Sequence, residues 1–211
     1  MNNPIKGLLV LDADSTLFNE EAIDLLAVTA GVSLEVSKIT ERAMRGDIDF
    51  ETALKERVRL LKGLKAEALI EVERRLTLTN GALELIQQAR ESKWKIAILS
   101  GGFMEILQPI MTRLEIDLYR ANNLEIVDSV LTGEVTGEIL DRSLKAKLLR
   151  EFAASLDVEL ERTIAVGDGA NDIEMVKSAG IGIAFCAKPI LKEFADVVID
   201  DRDLRLILQY L

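Results

Sequence analysis

Five short apolar runs, separated mostly by segments of helical periodicity, constrain the fold of this chain more than any other feature. They are GLLVLDA (7–13), WKIAILS (94–100), RTIAVGD (162–168), GIGIAF (180–185) and ADVVID (195–200). Each run is continuously aliphatic rather than alternating, which is typical of parallel strands buried on both faces by helices. The sequence therefore predicts an α/β fold built on a doubly wound parallel sheet.

Between the strands, the chain carries helical segments that begin with residues able to cap a helix N-terminus. Asn80 opens the segment 80–93, and Ser143 opens the segment 143–156. The side chains of both residues can accept a hydrogen bond from the first turn of a helix. We expect both segments to be helices that pack on the sheet.

The interval from residue 20 to 77 contains only helical periodicity and no strand candidate. Three glycines fall where its helices would end: Gly31, Gly46 and Gly63. A helical block at this point of the chain predicts a small cap domain inserted after the first strand, above the strand ends. The predicted domains are a helical cap of residues 18–77 and an α/β core of residues 1–17 and 78–211.

One further segment has the period of a β-strand. Residues 122–140 alternate apolar and polar side chains around Thr132 and Gly133. This pattern predicts a small β-hairpin near the edge of the sheet, with its turn at Thr132 and Gly133.

The composition excludes several classes of function. The chain has 211 residues, a formal net charge of −10 and no histidine, which excludes histidine-nucleophile phosphatases, Ser-His-Asp hydrolases and most zinc hydrolases. The acidic balance argues against nucleic-acid binding, and no apolar run reaches the roughly 18 residues of a membrane span. A single cysteine, Cys186, forms no internal disulfide, and the N-terminus lacks a signal-peptide pattern. We therefore expect a cytoplasmic protein.

Polar residues follow three of the predicted strands, at the points where these strands end. Ligands of open α/β sheets bind beyond the carboxyl ends of the strands, so these residues are expected to converge. A lysine in the first turn of the segment 143–156 could supply a fixed cation to the same place. The residues concerned are Asp12, Asp14, Ser100, Gly101, Lys145, Asp168, Asn171 and Asp172.

Each of these patterns also has a plainer interpretation. The two aspartates could form an acidic turn, SGG a tight strand-to-helix turn, GDGAND a set of capping residues, and Lys145 a solvated helix lysine. Their joint placement favours a site, because two neighbouring buried carboxylates are unfavourable without a compensating cation. Within the first turn, we expect the side chains of Ser15 and Thr16 to bond to the backbone.

DADST, SGGF, Lys145 and GDGANDIEM, in this order, resemble the four motifs of the haloacid dehalogenase superfamily, whose members form an aspartyl-phosphate. With STLFNEEAID, ALKERVRLLKG and GIGIAFCAKPILKEFADVVID, the chain is similar over essentially its whole length to the phosphoserine phosphatase family of that superfamily. One departure is Ala13, where members of the superfamily commonly carry Phe. The resemblance implies the same α/β core with an inserted helical cap.

The resemblance also implies roles for individual residues. Asp12 would be the nucleophile and Asp14 the general acid and base. Mg²⁺ would be held by Asp12, the Asp14 carbonyl, Asp168 and, through water, Asp172. The contacts implied for O-phospho-L-serine are Ser100, Gly101 and Lys145 at the phosphoryl group, Asn171 as support, Glu21 at the ammonium group, Arg57 at the carboxylate, and Met44 and Phe50 as apolar walls.

Several alternatives stay open at this point. Met44 and Phe50 could instead pack inside the cap, and Arg57 could pair with Glu51 or Glu56 on the surface. The chain could act on another small phosphate monoester, or transfer the phosphoryl group to an alcohol such as homoserine. It could also be a non-enzymatic phosphoacceptor similar to a response-regulator receiver, or bind phosphate without chemistry. Both a monomer and a homodimer are compatible with the sequence.

Overall fold

The computed structural model describes residues 4–211, which form a seven-stranded sheet. The strands are β1 (Gly7–Leu11), β2 (Trp94–Phe103), β3 (Leu118–Val127), β4 (Val130–Thr136), β5 (Thr163–Gly167), β6 (Ile181–Phe185) and β7 (Val197–Ile199). Their order across the sheet is β4-β3-β2-β1-β5-β6-β7. All neighbours are parallel except β3 and β4, which are antiparallel. The predicted α/β fold is therefore confirmed.

Helices fill the connections between the strands. They are α1 (Ala22–Ala30), α2 (Ser33–Met44), α3 (Phe50–Arg59), α4 (Glu67–Arg75), α5 (Ala82–Glu91), α6 (Met104–Arg113), α7 (Arg142–Ser155), α8 (Ile173–Ser178) and α9 (Pro189–Lys192). In the part of the chain that the structure describes, none of them has the length and apolar character needed to cross a bilayer.

The continuous apolar runs are explained by burial on both faces of the sheet. In β1, Leu9 and Leu11 belong to one apolar cluster, which includes residues of α5 and α6. Leu8 and Val10, which alternate with them, belong to a second cluster with residues of α7 and α8. Successive side chains of a strand point to opposite faces, so a strand between two helical layers must be apolar at every position.

Helices α1 to α4, here called the helical insert, lie between β1 and β2 in the chain. The insert packs on the sheet domain through a third apolar cluster, which includes Phe103 and Ile106 from the sheet side. The chain enters and leaves the insert side by side, because Phe18 and Leu78 form an antiparallel bridge. The division into domains at residues 17 and 77 stays a prediction.

The hairpin predicted in residues 122–140 exists, but its predicted centre is wrong. Val127 pairs with Val130, so the turn consists of Asp128 and Ser129, both with positive φ (50° and 61°). Such angles suit a two-residue hairpin turn and are tolerated by few residues other than glycine. Gly133 instead lies inside β4, where an added Cβ would stand 2.9 Å from the Cβ of Lys62. This glycine therefore reflects close packing against the insert together with a positive φ (88°), a backbone conformation that favours glycine.

The predicted helix starts are also displaced. Helix α7 begins at Arg142, and its N-cap is Asp141, whose Oδ1 accepts a hydrogen bond from the Leu144 N–H (2.8 Å), so Ser143 is not the cap. Helix α5 follows Gly81, with no side-chain cap, so Asn80 does not cap it either. All three insert glycines have positive φ, and Gly31 and Gly46 lie at the ends of α1 and α2 as predicted, whereas Gly63 lies four residues after the end of α3.

Candidate active site

A cavity of about 690 Å³ lies at the carboxyl ends of β1, β2 and β5, beneath the helical insert. Its walls come from both parts of the chain, because α2 and α3 line one side and the strand ends line the other. The predicted residues among its walls are Asp12, Asp14, Glu21, Met44, Phe50, Arg57, Gly101, Asp168 and Asn171. The remaining predicted residues, Ser100, Lys145 and Asp172, are buried directly behind this surface.

Lys145 is the centre of an ion-pair cluster at the floor of the cavity. Its Nζ donates to Asp12 Oδ1 (2.5 Å) and to Asp172 Oδ1 (2.7 Å), and all three side chains are buried. Asp168 completes the cluster, since one carboxylate oxygen each from Asp12, Asp168 and Asp172 lies within 4.8 Å of the others. Lys145 therefore pairs with two of the three carboxylates, and the charge of Lys188 acts on the third, Asp168, whose pKa it lowers.

The pKa shifts in this cluster reflect the shortage of positive charge. Burial, followed by the charge of Asp172, raises the pKa of Asp12 well above its ordinary value, and Lys145 opposes this rise. The same two causes raise the pKa of Asp168 to about 7. Burial alone lowers the pKa of Lys145, but Asp12 and Asp172 raise it by more, so this residue stays an ammonium ion. A further cation would relieve the repulsion among the acids.

The hydrogen bonds of the cluster indicate which acids could hold such a cation. Asp172 is already engaged, because its Oδ1 accepts from Lys145 and its Oδ2 accepts from the N–H groups of Asp168 and Gly169 (3.2 Å each). Asp12 keeps one oxygen that Lys145 does not contact, and Asp168 faces the cavity. A site built from carboxylate oxygens suits a hard divalent metal ion, so the residues present fit one.

Asp14 is held between the sheet and the insert. Its Oδ1 accepts a hydrogen bond from the N–H of Ala22 (3.0 Å), the first residue of α1, and its Oδ2 accepts one from Ser100 Oγ (3.4 Å). Burial raises the pKa of Asp14 to about 6, although the bond from Ala22 lowers it. Gly102 is required beside it, because an added Cβ would lie 2.7 Å from Asp14 Oδ2. This carboxyl group can hold and release a proton near neutral pH.

The SGG segment forms an irregular end of β2. Leu99 pairs with Arg120 and Phe103 pairs with Asn122, so three residues of β2 stand opposite a single residue of β3. Such a bulge releases backbone groups from the ladder. Ser100 Oγ accepts a hydrogen bond from Gly102 N–H (2.9 Å), which holds the bulge in shape. An added Cβ on Gly101 would lie 3.3 Å from the Phe50 ring, so the insert packs on this turn.

Arg57 is the cation on the insert side of the cavity. Burial lowers its pKa, with Glu21 and Asp24 opposing that effect, and its Nε donates to the carbonyl of Ala53 (3.2 Å). The suggested surface pairings are not found among residues 4–211. Glu51 pairs with Lys55, and Glu56 pairs with Arg42. The guanidinium therefore keeps donors that face the cavity.

The two apolar residues proposed as walls differ in their surroundings. Phe50 is half-buried at the first position of α3 and packs against Gly101, whereas Met44 is 65% exposed at the rim of the cavity. Met44 therefore does not pack inside the insert.

The prediction for the turn after Asp14 is wrong for Thr16. Its hydroxyl is buried and has no hydrogen-bond partner within the described residues. The turn is shaped by the backbone instead, since Ser15 has a φ of 59° and its N–H donates to the carbonyl of Glu20 (3.4 Å).

Sequence reasoning missed some residues of the site. Lys188 and Arg142 line the cavity, and the Lys188 N–H donates to the Asp168 carbonyl (2.8 Å). Asn122 is buried behind Gly101 and bonds to it. Lys188 follows the end of β6, and Arg142 follows Asp141, the N-cap of α7. These positions next to a strand end and a helix start could have identified both residues from the sequence. Asn122 lies within a strand and carries no such signal.

Residues 7–180 match the family profile of the haloacid dehalogenase-like hydrolases. The chain belongs to this family. It is also 48% identical over 207 residues to the phosphoserine phosphatase of Streptococcus thermophilus, with 98% of this chain and 96% of the relative covered. For the phosphoserine phosphatase of Methanocaldococcus jannaschii, the identity is 48% over 206 residues, with 98% of each chain covered.

Solved structures give the same family placement. A phospho-aspartyl intermediate analogue of phosphoserine phosphatase superposes with a TM-score of 0.93 at 48% identity, and covers 98% of this chain and 99% of its own. A substrate-bound phosphoserine phosphatase complex superposes with a TM-score of 0.94 at 47% identity, over 99% and 100% of the two chains. The hydrolase fold therefore extends over both the sheet and the helical insert.

Proposed function

We propose that this hydrolase is a phosphoserine phosphatase, which converts O-phospho-L-serine and water to L-serine and phosphate through an aspartyl-phosphate on Asp12. The observation that carries the proposal is the contact of Asp12 with Lys145 beneath a cavity whose opposite wall presents Arg57. Phosphoserine phosphatases from two organisms share 48% identity with nearly the whole chain, which supports the choice of substrate.

The proposed reaction has two steps, the formation of an aspartyl-phosphate and its hydrolysis. First, a carboxylate oxygen of Asp12 attacks phosphorus, the bond from phosphorus to the serine Oγ breaks, and Asp14 donates a proton to that oxygen. Water then attacks the phosphorus of the aspartyl-phosphate and gives a proton to Asp14. The bond from phosphorus to the Asp12 oxygen breaks, which frees phosphate and restores the Asp12 carboxylate. A pKa of about 6 suits Asp14 for both donating and accepting this proton.

The metal ion proposed for this site is Mg²⁺, because every available donor is an oxygen. Asp12 and Asp168 would bind it through their carboxylates, Asp14 through its main-chain carbonyl, and Asp172, whose oxygens are engaged, through water. When bound, Mg²⁺ neutralises charge on the phosphoryl group and on the nucleophile. Lys145 remains charged beside Asp12 and binds a phosphoryl oxygen.

The serine part of the substrate is assigned to the insert. Arg57 binds the carboxylate through its two-pronged guanidinium, and Glu21, at the start of α1, binds the ammonium group. Phe50 forms an apolar wall beside Gly101, and Met44 lies at the rim. On the sheet side, the proposed phosphoryl contacts are Ser100, Gly101 and Lys145, with Asn171 as support.

Replacing Arg57 tests the assignment of the substrate. Arg57→Ala should raise KM for O-phospho-L-serine about 10- to 100-fold, the equivalent of one charge-assisted pair. KM for p-nitrophenyl phosphate, which has no carboxylate, should change little. Arg59→Ala is the matched control, because Arg59 lies in the same helix but is exposed and 3.8 Å from Glu134. Equal losses on both substrates would contradict the role of Arg57.

Phosphate release in the presence of Mg²⁺ tests the reaction itself. O-phospho-L-serine should be hydrolysed faster than phosphothreonine or sugar phosphates, with or without an added alcohol such as homoserine. Faster release from another monoester would reassign the substrate, and transfer to the alcohol would identify a phosphotransferase. A stable aspartyl-phosphate without turnover would identify a phosphoacceptor.

The proposed setting of the enzyme is the cytoplasm, where it would complete serine biosynthesis as a monomer or homodimer. The single cysteine supports this setting, because the fold uses no internal disulfide.

A further inference from the structure

Asn122 is a buried amide that joins two backbone segments behind the cavity. It is 1% exposed, and it lies in β3 opposite Phe103, just after the bulge of β2. Its Nδ2 donates to the carbonyl of Gly101 (2.9 Å), and its Oδ1 accepts from the N–H of Leu140 (2.8 Å). A carbonyl only accepts and an N–H only donates, so these partners fix the orientation of the amide.

The first of these segments is the bulge proposed to receive the phosphoryl group. Residues 100–102 face a single residue of β3, so the strand ladder holds them less firmly than an ordinary strand end. The Asn122 amide supplies a bond that the ladder lacks, because it anchors the carbonyl of Gly101 from behind. The position of the Gly101 backbone therefore depends on this side chain.

The second segment leads directly to Lys145. Leu140 is fully buried and precedes Asp141, the N-cap of α7, whose carbonyl accepts a hydrogen bond from the Lys145 N–H (3.0 Å). Lys145 then extends from the first turn of α7 to Asp12. The bond from Leu140 to Asn122 thus fixes where this helix begins relative to β2.

We propose that Asn122 is a positioning residue for phosphoryl transfer, which sets the spacing between the backbone at Gly101 and the ammonium group of Lys145. The inference rests on the proposed function. Asn122 is not among the cavity walls and acts through its two neighbours. Because both groups it positions are assigned to the phosphoryl group, its effect should be the same for every phosphate monoester.

Asn122→Leu removes both hydrogen bonds at similar side-chain size. We expect kcat/KM to fall about 10²-fold, the loss that a displacement of about 1 Å can cause. The loss should be equal for O-phospho-L-serine and p-nitrophenyl phosphate, and inhibition by inorganic phosphate should weaken in parallel. This pattern differs from the loss expected for Arg57→Ala, which is confined to O-phospho-L-serine.

Thr163→Val is the matched control for stability. Thr163 is also fully buried and also joins two backbone groups, since its Oγ1 donates to the Leu160 carbonyl (2.6 Å) and accepts from the Gly180 N–H (3.1 Å). It stands at the start of β5, at the opposite end of that strand from Asp168. Thr163→Val should lower the urea midpoint but leave kcat, KM and phosphate inhibition unchanged.

Asn122→Asp provides a second test that does not require loss of both bonds. Its carboxyl group can still accept from Leu140, and in the protonated form it can also donate to the Gly101 carbonyl. The ratio of variant to parent kcat/KM should therefore rise as the pH falls.

Parent-like kcat/KM and phosphate inhibition in folded Asn122→Leu would overturn the proposal, as would a ratio for Asn122→Asp that falls as the pH falls. A parent enzyme that prefers another phosphate monoester would refute only the proposed substrate. The Asn122 comparison would still be made on p-nitrophenyl phosphate.

Discussion

Without divalent cations, the free energy of unfolding should fall as the pH rises from about 4 to about 7. The cause is the acidic cluster, in which burial and Asp172 raise the pKa of Asp168 from 3.8 to about 7. Between these values, the folded state keeps a proton that the unfolded chain releases. The unfolded state then binds fewer protons, so a rising pH favours unfolding until the folded-state pKa is passed.

The size of this effect follows from the shift. About three pKa units correspond to on the order of 4 kcal/mol, since each unit contributes about 1.4 kcal/mol. Burial of Asp14, whose pKa rises to about 6, acts in the same direction. Mg²⁺ should remove the fall, because it binds the ionised carboxylates of the folded state only.

Urea unfolding at about pH 4 and about pH 8, with a chelator or with excess Mg²⁺, measures this prediction. Asp168→Asn is the control variant, because its neutral amide has no proton to lose. With chelator, it should lose less stability than the parent between the two pH values, the remaining fall being due to Asp12 and Asp14, and Mg²⁺ should stabilise it less. A parent protein whose stability in chelator does not fall with pH would refute the reasoning, and so would an Asp168→Asn variant with an undiminished fall.

Two substitutions in the cavity have further expected outcomes. Asp12→Asn should abolish phosphate release while the protein stays folded, and turnover above a few per cent of the parent would contradict the aspartyl-phosphate route. Gly102→Ala should lower kcat about 10²-fold, because its Cβ would lie 2.7 Å from Asp14 Oδ2 and displace the proposed general acid. Gly101→Ala is its comparison, with a smaller loss of kcat, because its Cβ would meet the Phe50 ring at 3.3 Å. Steady-state kinetics on O-phospho-L-serine would measure all three, and equal kcat values for the two glycine variants would contradict the steric argument.

The sheet and the floor of the cavity could be predicted because their signals are local. A strand buried on both faces is apolar throughout, so the first polar residues after it, such as Asp12 and Asp168, mark its end. Parallel strands end at the same edge, and the residues that follow them come together without further information. The fold class follows from the same runs.

Other features depend on contacts between distant residues and have no local signal. Asp128 and Ser129 form the hairpin turn with positive φ although neither is glycine, whereas Gly133 lies inside β4, where its positive φ and the packing of the insert both favour glycine. Two residues able to cap a helix, Asp141 and Ser143, stand close together at the start of α7, and only the geometry selects Asp141. Asn122 is an ordinary strand residue until its partners, 21 and 18 positions away, are known.

The antiparallel bridge between Phe18 and Leu78 places the entry and exit of the helical insert next to each other. A segment whose two ends already meet can be lengthened, shortened or exchanged with little strain on the strand before it or the helix after it. During evolution, such a junction lets the parts of the enzyme change at different rates. The residues proposed to break the phosphate ester can stay fixed at the strand ends while a different insert brings different proposed contacts to the rest of the substrate.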